Sequence, residues 1–110
     1  MRICVNWNVI MLPKARRDYL QALEYLSGFY PGTPQRFRSE YRKRMLQLEL
    51  NPHGCPTYYA YPEYRRVLIG KYTMLYKINE ERREVHIHRI LRSSWDIPKQ
   101  LKADEENNGL

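Results

Sequence analysis

Five cations and two histidines in the second half of the chain have the side-chain types needed to act on a phosphodiester. Arg65, Arg66, Lys71, Arg89 and Arg92 fall within or beside apolar stretches, with His86 and His88 two residues apart among them. Cutting RNA by attack of its 2′-hydroxyl on the adjacent phosphate requires a base, an acid and a cation over the phosphate as charge builds. Arginine holds a phosphate with two parallel hydrogen bonds, and histidine titrates near neutral pH. On that chemistry Arg65 or Arg66, with Arg92, would grip the scissile phosphate, and His86 or His88 would move the proton. Lys71, Arg89 and Tyr72 would add nucleic-acid contacts. The same residues have a structural reading as well, because strand edges carry solvated charges and strands often carry half-exposed histidines.

The chain holds ten tyrosines, of which Tyr58, Tyr59, Tyr61 and Tyr64 cluster ahead of the strand-like region. Exposed rings among arginines stack on bases in single-strand binders. Tyr72 and Tyr76 also suit a core position with the hydroxyl at its rim. His86 and His88 with His53 and Cys55 would make four metal ligands, but nothing in the sequence fixes the two pairs together, so neither a metal nor a cofactor is expected.

These residues sit in a chain of 110 residues with a formal charge of +7 and, at 43% hydrophobic and 28% charged, the make-up of one folded domain. A pI near 9.6 favours polyanionic partners, either nucleic acid or an acidic protein segment. The apolar run Val9 to Leu12 is too short to span a bilayer or to serve as a secretory core, and Cys4 and Cys55 form no disulfide pattern. A cytoplasmic location is expected.

The elements that must position the cations follow from periodicity. Val5 to Leu12 reads as an opening strand that stops at Pro13. Ala15, Tyr19, Ala22, Leu23 and Leu26 then form one helical stripe. Gly28, Pro31 and Gly32 mark a turn, after which Thr33 would cap a second helix opened by Pro34 and carrying Phe37, Tyr41, Met45 and Leu48 inward. Tyr64 to Ile69, Lys71 to Asn79 and Glu84 to Leu91 read as a meander of three strands. Alternation along the last puts Val85, Ile87 and Leu91 on one face, and His86, His88, Ile90 and Arg92 on an open one. The order predicts an α+β domain over 1–102, its helix hairpin on one face of the sheet, followed by a flexible acidic tail over 103–110.

Three phrases carry a resemblance. Leu12-Pro13-Lys14-Ala15-Arg16-Arg17-Asp18-Tyr19-Leu20 is similar to a strand running into a Pro-Ala helix. Arg65 with Gly70-Lys71-Tyr72 and Leu75-Tyr76-Lys77-Ile78 is similar to an arginine strand and its successor. Ile90-Leu91-Arg92-Ser93-Ser94-Trp95-Asp96-Ile97-Pro98 aligns with a closing pattern of Val-Leu-His-Gly-Arg-Arg-Asp-Ile-Pro. In order and spacing these phrases resemble the RelE/ParE superfamily of toxins from type II toxin-antitoxin systems.

That resemblance implies a growth-arresting toxin neutralised by a cognate antitoxin, with the ribosome and its messenger RNA or DNA gyrase as target and no membrane. The leading expectation is a ribosome-dependent endoribonuclease. The alternatives are a non-enzymatic gyrase inhibitor and a non-toxic relative that only binds antitoxin. Arg92 stands where the pattern has histidine, Ser94 and Trp95 stand where it has two arginines, and no tyrosine follows Tyr76. The gyrase-directed branch is not known for a hydrolytic site and tolerates such losses.

Overall fold

A computed structural model describes residues 6–29 and 32–108. The sequence expectations for Cys4, for the strand beginning at Val5, for Pro31 in the turn and for the last two tail residues lie outside them. The elements run β1 (Asn8–Met11), α1 (Pro13–Leu26), α2 (Thr33–Leu50), a single 3-10 turn (Pro52–Gly54), β2 (Thr57–Tyr58), β3 (Tyr61–Ile69), β4 (Tyr72–Asn79), β5 (Glu84–Arg92) and α3 (Ile97–Asn108). Five strands form one sheet in the order β1-β5-β4-β3-β2. β1 runs parallel to β5, and the remaining pairs are antiparallel. The result is an α+β domain in which the helix hairpin packs on one face of the sheet, as expected.

Pro13 opens α1 because its missing N–H falls where a helix has no acceptor for it. The stripe of Ala15, Tyr19, Ala22, Leu23 and Leu26 packs on the sheet, as its spacing requires. The cap of α2 is Gly32 rather than Thr33: its φ of 92° is left-handed backbone open mainly to glycine, and its carbonyl accepts the Arg36 N–H at 2.9 Å. Phe37 and Leu48 bring α2 onto the same face, where Val67, Ile69, Met74, Tyr76, Val85, Ile87 and Ile90 complete the main core.

α3 covers the opposite face. Ile97 and Leu101, one helical turn apart, pack with Tyr58, Tyr64, Leu75 and Leu91 in a second core. β4 is therefore covered on both sides, which explains why Tyr72 through Tyr76 are buried without alternation. Residues 103–108 continue α3 instead of forming the loose tail expected from their polarity. Asp104 anchors that helix through Lys14 and Arg89.

One irregularity corrects the facing of β5. Leu75 pairs with Arg89 but Tyr76 pairs with Ile87, so His88 has no partner across β4 and forms a bulge. Beyond a bulge the alternation inverts. Ile90 joins Val85 and Ile87 in the main core, while Leu91 joins the core under α3, the reverse of the strict-alternation expectation for both residues. The sheet also has no fully open face, since α3 occupies part of the side assigned to the histidines.

Candidate functional site

The β3–β4 hairpin turns through Gly70 and Lys71, with Gly70 at φ 56°, a value natural for glycine at the first turn position. This tight turn brings the end of β3 and the start of β4 beside the segment joining β5 to α3. The Ser93 N–H donates to the Lys71 carbonyl at 2.9 Å, and Thr73 and Ser93 share a hydroxyl bond of 2.8 Å. Between that segment and β2 lies a cleft of about 880 Å³ lined by Arg66, Lys71 and Arg92 together with Tyr58, Tyr59 and Trp95. Tyr59 is 83% exposed and Trp95 50% exposed, so two rings stand beside three cations on accessible surface. Asp96, also on the cleft wall, accepts the Lys99 N–H at 3.2 Å as the first turn of α3 begins.

Arg66, Lys71 and Arg92 are thus brought together at one cleft. The other five candidates go elsewhere. Arg65 faces the loop after α2 and donates to the carbonyls of Cys55 at 2.5 Å and His53 at 3.3 Å, so it braces that loop. Tyr72 is buried against Phe37, with the Arg92 guanidinium 5.8 Å from its ring centre.

Arg89 is committed to an internal ion-pair group. Its Nε and Nη2 donate to Asp18 at 2.7 and 3.1 Å, and its Nη1 donates to both Asp104 oxygens at 3.0 and 2.8 Å. Asp18 also accepts the Ile90 N–H at 3.0 Å, just past the point where β1 ceases to cover β5. Burial alone would lower the Arg89 pKa, and its hydrogen bonds to the Asp18 and Asp104 carboxylates outweigh it, so the net shift is upward. The Arg89 side chain is 14% exposed and paired inward, away from the nucleic-acid contacts expected of it.

His86 lies near the start of β5 and His88 at its middle, both away from Arg92 at its end. His86 Nε2 meets Glu84 Oε1 at 2.9 Å. His88, at the bulge, lies edge-on to Tyr64 with ring centres 5.3 Å apart, and burial, helped by nearby Lys77, pushes its pKa down to about 4. At neutral pH it is uncharged. Along an extended strand, His86 and His88 are separated from Arg92 by about 20 and 13 Å. Among the described residues lining the cleft there is no histidine.

His53 pairs with Glu80 at 2.6 Å and lies edge-on to Trp7, while Cys55 is buried beside Gln47. Among the described residues no three metal-ligating side chains converge, and no helix is long and apolar enough to cross a membrane.

Sequence reasoning missed Trp95, noting only that it replaces an arginine, and left Tyr59 open. The available signal was position: Trp95 follows β5 by three residues and precedes the Asp96 that starts α3, so the link is too short to carry it far from Arg92. The partnership of Asp18 with Arg89, 71 residues apart, had no local signal.

Residues 9–97 match the family described as the ParE toxin of type II toxin-antitoxin systems, parDE. No match was found among the curated proteins. Solved structures that share the fold include two from toxin-antitoxin systems. The toxin-antitoxin complex RelBE2 from Mycobacterium tuberculosis contains a chain 21% identical, with TM-score 0.59, over 80% of this chain and 99% of that one. A chromosomal ParDE system from P. aeruginosa gives 14% identity and TM-score 0.66 over 78% of this chain and 95% of that one. Because the family match runs from β1 to the first residue of α3, the chain belongs to the ParE toxin family, the toxin half of type II toxin-antitoxin systems.

Proposed function

We propose that this toxin arrests growth by binding, its cationic and aromatic cleft set against the DNA held by gyrase, and that it does not cut messenger RNA. One observation carries the reading: Arg66, Lys71 and Arg92 gather round the cleft while His86 and His88 lie well along β5 from it. Transfer of a proton to or from the reacting atoms needs a group within hydrogen-bond reach of the phosphate. The cleft's carboxylate, Asp96, is engaged at the start of α3, and burial raises the pKa of the Tyr58 phenol, away from a base poised at neutrality. What the cleft does offer is phosphate capture by cations beside two rings for stacking, which suits a binding surface. Membership of the ParE family agrees with gyrase as the target.

A cognate antitoxin is the second partner, in keeping with the family and with the antitoxin complexes in which both structural relatives were solved. The net charge of +7 makes an acidic antitoxin segment complementary. We infer a cytoplasmic location, where both partners would be met. The test adds purified toxin to gyrase with supercoiled plasmid and, separately, to ribosomes translating a defined message. Trapped cleavage complexes with intact message are expected; a cut message and untouched gyrase activity would overturn the reading.

A further inference from the structure

Trp95 stands between two cavities. On one side is the cleft; on the other, between α1 and the segment joining β5 to α3, lies a hollow of about 500 Å³ with Gln21 and Tyr25 on its wall. Arg92, Ser94 and Trp95 line both cavities, so they form the partition between them. Both volumes fall in the range of small-ligand sites, roughly 300–1,000 Å³. The partition is held by its backbone: the Trp95 N–H donates to the Arg92 carbonyl at 3.0 Å, and the Trp95 carbonyl accepts the Ile97 N–H at 2.9 Å. A pinned backbone thus carries a large ring that is half exposed, where one serving the core would be covered. Each cavity offers a second ring at least half exposed, Tyr59 in the cleft and Tyr25 in the hollow. The carboxylates on the two walls are engaged, Asp96 with the Lys99 N–H and Asp18 with Arg89. The charge that the two cavities share is therefore the Arg92 cation, its guanidinium 4.9 Å from the centre of the Tyr25 ring.

We infer that this surface takes single-stranded DNA in preference to duplex: two successive nucleotides straddle Trp95, one base in each cavity, and the phosphate joining them sits on Arg92. The inference rests on the reading of the cleft as a DNA-binding surface and names the form of DNA that it takes. In a duplex the faces of the bases are closed against one another, so three exposed rings would meet only edges and backbone. An unpaired strand presents a face of every base for stacking. The groups run across the surface as ring, cation with ring, then ring, which follows the alternation of base, phosphate and base along one strand. Charge without rings would suit a duplex backbone instead, and rings without charge would suit an apolar partner. Gln21 adds an amide that both donates and accepts, on the wall where the edge of the second base would lie. Stacking is open to all four bases, so little sequence preference is expected.

The full chain reports occupancy by its own fluorescence, since Trp7 is buried and Trp95 half exposed. It is titrated, at about 0.15 M salt to screen loose attraction, with thymidylate strands of one to six nucleotides, a uridylate strand of six and a blunt duplex of six base pairs. Single strands are expected to quench Trp95. Affinity should rise about tenfold from one nucleotide to two as the second cavity fills, and only slowly beyond, with the duplex at least about tenfold weaker than the longest strand. With a labelled strand read by anisotropy, Trp95→Ala should lose at least about tenfold, whereas Trp95→Phe, whose ring still stacks, should keep most of the affinity. Tyr25→Leu should remove the step between one nucleotide and two. A duplex bound as tightly as the strand, no such step in the parent, full affinity in a folded Trp95→Ala, or a Trp95→Phe as weak as Trp95→Ala would each overturn the inference. Uridylate held about tenfold tighter than thymidylate would overturn the choice of DNA. Gyrase is assayed separately. Strand binding without trapped cleavage complexes refutes gyrase as the target and leaves the inference standing; trapped complexes beside a preference for duplex refute the inference and leave the target standing.

Discussion

Replacing Arg89 by methionine separates a structural arginine from a nucleic-acid contact. Arg89→Met keeps most of the aliphatic stem and removes four N–H···O bonds of 2.7–3.1 Å to two carboxylates. Asp18, 9% exposed, would retain only the Ile90 N–H among its described partners, and Asp104 would retain Lys14. Removing one member of a buried ion pair costs about 3–5 kcal/mol, because it leaves an uncompensated charge. The surviving partners place this case near the lower end, about 3 kcal/mol, a large share of the roughly 5–15 kcal/mol that stabilises a domain. Urea unfolding of parent and variant at pH 7 gives the difference directly, and the melting temperature should fall by roughly 12 °C. Gyrase inhibition by the folded fraction should not change. A stability loss under about 1 kcal/mol, accompanied by weaker inhibition, would refute the reasoning and return Arg89 to the nucleic-acid surface.

Two further outcomes follow from single side chains. His88 has a folded pKa of about 4 against an ordinary value of 6.5, so the unfolded chain binds more protons between those values. Its contribution is present above about pH 6.5 and is lost as pH falls toward 4. Urea midpoints taken across that window should fall less steeply for His88→Gln than for the parent, and parallel curves would contradict the burial argument. The Tyr76 hydroxyl, buried where its pKa is driven well up, donates to the Pro52 carbonyl at 2.6 Å and ties β4 to the turn after α2. Tyr76→Phe leaves that acceptor unpaired and should cost about 1–3 kcal/mol in the same assay, whereas a neutral result would mean that water replaces the bond.

Most of the fold was legible because it follows local rules. Pro13 and the stripe of Ala15, Tyr19, Ala22, Leu23 and Leu26 mark α1 at both ends, and Gly70 punctuates the hairpin. Failures began where a single residue changes the count. The bulge at His88 depends on how β5 meets β4, and no property of His88 itself announces it; one inserted residue then exchanged the faces of Ile90 and Leu91. β2 is two residues long, too short for any periodicity, yet it holds Tyr58 at the cleft. The end of α3, residues 103–108, is polar and reads as a tail, since its hold comes from the ion pairs of Asp104 with residues distant in the chain.

The site was half legible for the same reason. Residue type picked out Arg66, Lys71 and Arg92, but type alone cannot tell a phosphate-binding arginine from Arg65 or Arg89, whose acceptors come from other elements. Histidines two apart on a strand suggested proton transfer, and the structure sets them well along β5 from the cations they would have to serve.

Growth arrest by binding must follow the cations, and growth arrest by RNA cleavage must follow the histidines. Growth should be recorded after induction, without antitoxin, of the parent, of Arg66→Ala with Lys71→Ala, and of His86→Ala with His88→Gln, with each variant shown to be folded. The paired histidine variant should be as toxic as the parent, and the paired cation variant should not. A folded histidine variant that lets cells grow, beside a cation variant that still stops them, would contradict growth arrest by binding.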